Sequence, residues 1–128
     1  MNSKLILITL HSLPFCLGIL LSYLFWSEPW ALLVIYLILS MVVIWLGQDR
    51  KTESLIFLYG LGAGFVVETL GTQVSGYQSF TLPQVWGIPW WLLISWGYGF
   101  ILMKRIGFII VMGNYYKEKE SLGTSPKN

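Results

Sequence analysis

Glu68 is the only charged residue in the stretch 57–71, and Gly60, Gly64 and Gly71 recur beside it at intervals of three and four. Those intervals place all four positions on one face of a helix. Burying an ionised carboxylate in an apolar segment is costly, so such a site favours the protonated form and suits general acid–base work. The glycines let a second helix approach closely. In the first apolar segment His11, Phe15, Gly18 and Ser22 share a face, and Pro14 interrupts the backbone hydrogen bonding of that helix. This face is small and polar enough to pack against the Gly60–Gly64–Glu68 face. A rise of 1.5 Å per residue separates His11 and Glu68 by about one to two helical turns in depth, so pairing them requires tilt or a bridging water. Trp96 lies in mid-segment with Ser95 and Tyr98 and is a candidate to line an interior pocket.

Each of these residues also has a plainer role. A protonated Glu68 can simply hydrogen-bond a neighbouring helix, and a lone histidine on a small-residue face often only packs. One His and one Glu are too few to hold a metal ion, and no cofactor is implied. Cys16 is the single cysteine, without an internal disulfide partner, and is expected as a small buried hydrophobe.

The elements that must position these groups are membrane spans. Of 128 residues, 55% are hydrophobic and 11% charged, whereas a water-soluble domain carries about a quarter charged residues. Apolar runs at about 5–26, 30–47, 54–71 and 88–103 are each long enough to cross about 30 Å of hydrocarbon. The first exceeds a signal-peptide core and is followed by no small-residue cleavage site, so it reads as retained. The expected fold is all-α: a polytopic integral membrane protein with four transmembrane helices in residues 1–116. Residues 117–128 read as a disordered cytoplasmic tail. Residues 104–116 either extend the fourth span, with Lys104 and Arg105 snorkelling, or lie in the interface.

With four spans, Lys4, Arg50, Lys51, Lys104, Arg105 and the tail lysines all fall on one side. The positive-inside rule then puts both termini in the cytoplasm, and a bacterial inner membrane fits. Trp26, Trp30, Trp86, Trp90 and Trp91 mark the opposite boundary, where amphipathic rings favour headgroup level. The basic residues lie at segment ends and form no nucleic-acid patch.

The connection 72–87, TQVSGYQSFTLPQVWG, has hydroxyls, amides and aromatics but no charge. It reads either as a lid folded over Glu68, with Gln73 and Tyr77 in reach, or as a loop lying among lipid headgroups. Glu68 and Gly71, then Gly76-Tyr77, Phe80, Gly87-Ile88-Pro89 and Trp96 resemble a pattern of multi-span carotenoid-biosynthesis membrane proteins, the hydratase-like group. The stretch around Gly87–Gly97 is also similar to small bacterial membrane proteins. The resemblance covers about residues 68–97, in a chain shorter than those enzymes. It implies a site for an isoprenoid or other long apolar lipid near Glu68, and protonation of a polyene double bond as the chemistry.

The catalytic candidates are therefore Glu68 as acid or base, Tyr77 and His11. Gln73, Phe80, Trp96 and Tyr98 are expected to bind substrate, and Gly18, Gly60, Gly64 and Gly71 to pack helices. The partners expected are the lipid bilayer, an apolar lipid or isoprenoid ligand, and a second copy or a partner membrane subunit. Nucleic acid is not among them. The leading expectation is an inner-membrane protein that handles a lipid-like or isoprenoid substrate. The alternatives are an assembly subunit that packs through the Gly60–Gly64–Glu68 face and a small-solute or proton transporter.

Overall fold

Four apolar runs separated by short breaks form four helices, α1 (Ser3–Leu24), α2 (Pro29–Leu46), α3 (Arg50–Thr69) and α4 (Trp90–Ser121). The computed structural model describes the backbone of residues 3–121 and the side chains of 4–112. All four helices contain a stretch long and apolar enough to cross a membrane. Their outward faces carry exposed Leu13, Ile19, Met41, Leu58 and Val66, a surface matched to hydrocarbon rather than to water.

The helix starts follow from local chemistry. Pro29 opens α2, where a missing N–H costs nothing. Asp49 caps α3 by accepting from the Thr52 backbone N–H at 3.1 Å. At the start of α4 the Trp90 N–H donates to the Gln84 side-chain carbonyl at 3.0 Å. α3 ends in one turn of π-helix, Leu70–Val74. α4 runs on through Lys104 and Arg105, so 104–116 continues the fourth helix. Residues 117–121, expected in a disordered tail, also belong to α4, and 122–128 lie outside the described residues.

α4 is the hub. It packs against α3, α2 and α1, whereas α1 meets α4 and α2 and, among the described residues, does not reach α3. The expected packing of the His11–Gly18 face on the Gly60–Glu68 face is therefore corrected: α4 lies against both. The reason is that α4 carries the small and polar groups that meet the other helices: Gly97 lies against Phe57, Trp96 bonds Glu68, Tyr98 bonds Pro14 and Arg105 bonds Glu53. Glycine permits the approach, because a Cβ at Gly60 would sit 2.9 Å from Phe100 Cβ and one at Gly97 only 2.8 Å from the Phe57 carbonyl. Gly18 instead faces the rings of Tyr36 and Tyr98.

Two tyrosines fasten α1, Tyr36 to α2 and Tyr98 to the hub. Tyr36 donates to the Gly18 carbonyl at 2.9 Å and lies 2.8 Å from the Ser22 hydroxyl, and Tyr98 donates to the Pro14 carbonyl at 2.6 Å. Their rings meet edge to face at 5.7 Å. Apolar helices gain little by leaving lipid for each other, so such bonds, each contributing about 1 kcal/mol, and close packing hold the bundle. Cys16, expected to be buried, lies on the exposed side of α1.

Lys4, Arg50, Lys51, Lys104 and Arg105 gather at one end of the bundle. The 70–89 segment closes the other. These are the basic end and the loop end.

Candidate functional site

Near the end of α3, Glu68 is 7% exposed. Its Oε1 accepts from the Trp96 indole N–H at 2.8 Å. Its Oε2 accepts from the side-chain amide of Gln78, which reaches back from the loop. The carboxyl thus joins three elements: α3, α4 and the connection between them. Both donors are uncharged, so no cation offsets the carboxylate at the loop end. Gly64 makes the Trp96 contact feasible, since a Cβ there would lie 2.3 Å from the indole Cγ.

The loop is shaped to bring Gln78 in. The π-helical turn after Glu68 shifts the chain by one residue, and such bulges recur at functional sites. Thr72 donates to the Glu68 carbonyl at 2.8 Å, and Ser75 donates to the Leu70 carbonyl at 2.7 Å. Gly71 is buried against the Gln78 amide and the Tyr77 hydroxyl, which a Cβ would meet at 2.6 and 2.9 Å. Downstream, Trp86 and Gly87 have φ of 46° and 77°, and Val85 and Ile88 exchange backbone hydrogen bonds of 3.0 and 2.7 Å across them. Two left-handed residues in a two-residue turn are the geometry of a type I′ reversal, which returns the chain into α4. Gln73 clamps this turn by donating to the Trp86 carbonyl at 2.7 Å.

The other candidates separate. Tyr77 lies over Gly71 with its side chain largely exposed. Phe80 lines a cleft of about 150 Å³ together with Trp26, Leu82 and Trp91. Tyr98 is buried and donates to the Pro14 carbonyl at 2.6 Å. His11 lies at the basic end, where it lines a cavity with Glu53 and Arg105, far from Glu68. Among the described residues no three His, Cys, Asp or Glu side chains converge as donors for a metal ion.

That basic end holds a second buried carboxyl. Glu53, 2% exposed, receives Arg105 Nε on Oε1 at 2.8 Å and Nη2 on Oε2 at 2.6 Å. Nη2 also donates to the Val43 carbonyl at 2.6 Å, and Lys104 Nζ lies 3.6 Å from Oε1. Arg105 therefore turns inward rather than snorkelling. Beside it, hydrogen bonding by Thr52 holds the Asp49 carboxyl below the usual carboxylate range. Sequence reasoning missed this pair and Gln78. The available signals were an arginine within an apolar run and an amide in a loop without charge.

Fold and sites together define an all-helical protein with four helices able to span a membrane and a buried carboxyl at either end of one of them. Comparison with known protein families, curated proteins and solved structures finds no match.

Proposed function

We infer that the protein is a multi-pass inner-membrane protein, both termini cytoplasmic, that acts on an apolar, lipid-like molecule at its loop end. Glu68 is the acid–base group and the segment after the π-helical turn is its lid. The observation that carries this reading is the Gln78 contact, because a loop residue closes over a carboxyl that the helices already enclose. Lifting Gln78 frees Oε2 while the Trp96 N–H stays on Oε1. A protonated Glu68 can then transfer its proton to one carbon of an isoprenoid double bond. The carboxylate left behind keeps the Trp96 hydrogen bond, water adds to the resulting carbocation, and the proton that water loses returns to Glu68. The sum is hydration of the double bond. The resemblance of 68–97 supplies the substrate class in this proposal, and the gathering of cations at one end supports the orientation.

Assembly through the Gly60–Gly64 face is disfavoured, since Phe100, Gly97 and Trp96 of the same chain already cover that face. The test is to purify wild type and Glu68→Gln in mild detergent, record absorbance spectra and identify the retained lipids by mass spectrometry. An isoprenoid or polyene is expected with wild type, with its hydrated and unhydrated forms in a different ratio in the variant. Bulk phospholipid alone, the same in both, rules the reading out and favours a non-enzymatic subunit.

A further inference from the structure

At the basic end, between α1, the α2–α3 turn and α4, lies a cavity of about 400 Å³. It falls within the volume range of small-molecule sites. His11, Gln48, Asp49, Glu53, Lys104 and Arg105 supply its polar lining, and Leu46, Phe108 and Ile109 its apolar wall.

Hydrogen-bonding capacity in this cavity is left over. Arg105 commits Nε and Nη2 to Glu53 and Val43, and Nη1 has no acceptor among the described residues. Lys104 Nζ lies 3.6 Å from Glu53 Oε1, beyond hydrogen-bond distance, and its charge also acts on the Asp49 carboxylate without a hydrogen bond between them. His11 has no hydrogen bond to any described residue, and Asp49 uses Oδ1 for Thr52 and leaves Oδ2 open. A guanidinium edge beside an ammonium is a donor set suited to phosphate oxygens. The open carboxylate oxygen in the same cavity repels a bare anion but accepts from an ammonium. Glu53 adds little net repulsion, because its charge is already matched by Arg105.

From this juxtaposition we propose that the cavity binds a phosphate ester carrying an amine, of the phosphoethanolamine type. Phosphate oxygens meet Lys104, His11 and Arg105 Nη1, the ammonium meets Asp49, and the wall of Leu46, Phe108 and Ile109 receives the apolar remainder. A phospholipid headgroup and a free phosphorylated amine share this chemistry.

The experiment titrates the delipidated full-length protein in detergent with short-chain phosphatidylethanolamine, read by calorimetry, and repeats it with soluble O-phosphoethanolamine as competitor. Variants are Lys104→Gln, at a half-exposed position, and Asp49→Asn, which keeps a good helix cap. Saturable binding is expected with wild type, weakened about tenfold by either substitution, while the thermal melt stays put. Competition by O-phosphoethanolamine identifies the polar group itself as the ligand. Failure to compete identifies the membrane-anchored lipid, and both outcomes uphold the site. No saturable binding, or equal affinity in wild type and both variants, overturns the proposal. The Glu68→Gln comparison involves none of these residues, so the two readings fail separately.

Discussion

α3 carries a buried carboxyl near each end, Glu53 and Glu68, fifteen residues apart and so about 22 Å along the axis. The two are neutralised in opposite ways. Glu53 is gripped by the two-pronged Arg105, with Lys104 nearby, and the pair is built entirely from rigid helices. Glu68 has no cation among the described residues, only an indole N–H from α4 and an amide from a loop. An ion pair of the first kind orders a bundle and resists change, because either partner left alone is a buried uncompensated charge. A carboxyl held by neutral donors, one of them on a loop, can gain or lose a proton and can be uncovered. The contrast gives the basic-end pair an architectural part, and it is the loop-end carboxyl on which the proposed chemistry rests.

The strongest challenge to this contrast is Arg105→Met. It strands Glu53 and should destabilise the protein by about 3–5 kcal/mol. Adding Glu53→Leu in the same chain should recover most of that loss in a detergent melt. If the single variant melts like wild type, the ion pair is not architectural.

Gly64→Leu comes next. Its Cβ alone collides with Trp96, so the indole must leave Glu68, at a cost of about 1–3 kcal/mol for overpacking plus the lost hydrogen bond. Gly62, which faces open space, is the control, and Gly62→Ala should be neutral or slightly stabilising by the same melt.

Trp96→Phe removes one donor from Glu68 while keeping an aromatic ring. A loss of about 1–3 kcal/mol is expected in a detergent melt, because a buried carboxyl oxygen is left without its donor.

The smallest effect is expected from Gln78→Ala. It should lower stability by about 1 kcal/mol or less yet raise hydrogen exchange in residues 75–89, with α2 and α3 unchanged. Uniform exchange across the chain would show that the loop is part of the bundle's cooperative unit and not a lid.

The spans were legible because hydropathy and the placement of cations are local properties of the chain. Helix limits moved by a few residues, and 104–116 resolved into a continuation of α4. Glu68 was legible because a lone carboxyl in an apolar run is costly to bury and must therefore find a partner inside the bundle. Gly60 and Gly64 were legible as a packing face, but their occupant was not, since periodicity says that a face must be covered and is silent on which helix covers it. Glu53 and Arg105 were opaque for a further reason. Fifty-two residues separate them, and each alone looks like an ordinary charge near the end of a span.

Composition and pattern alone therefore determined four helices suited to a membrane, the gathering of cations at one end, and one acid in an apolar segment. The tertiary structure decided that α4 is the hub, that α1 and α3 do not meet among the described residues, that Gln78 closes on Glu68 and that Arg105 turns inward to Glu53. The physical reason is one of range. Transfer of side chains into hydrocarbon depends on each segment by itself, whereas the partner of a buried polar group depends on which helices approach closely enough to reach it.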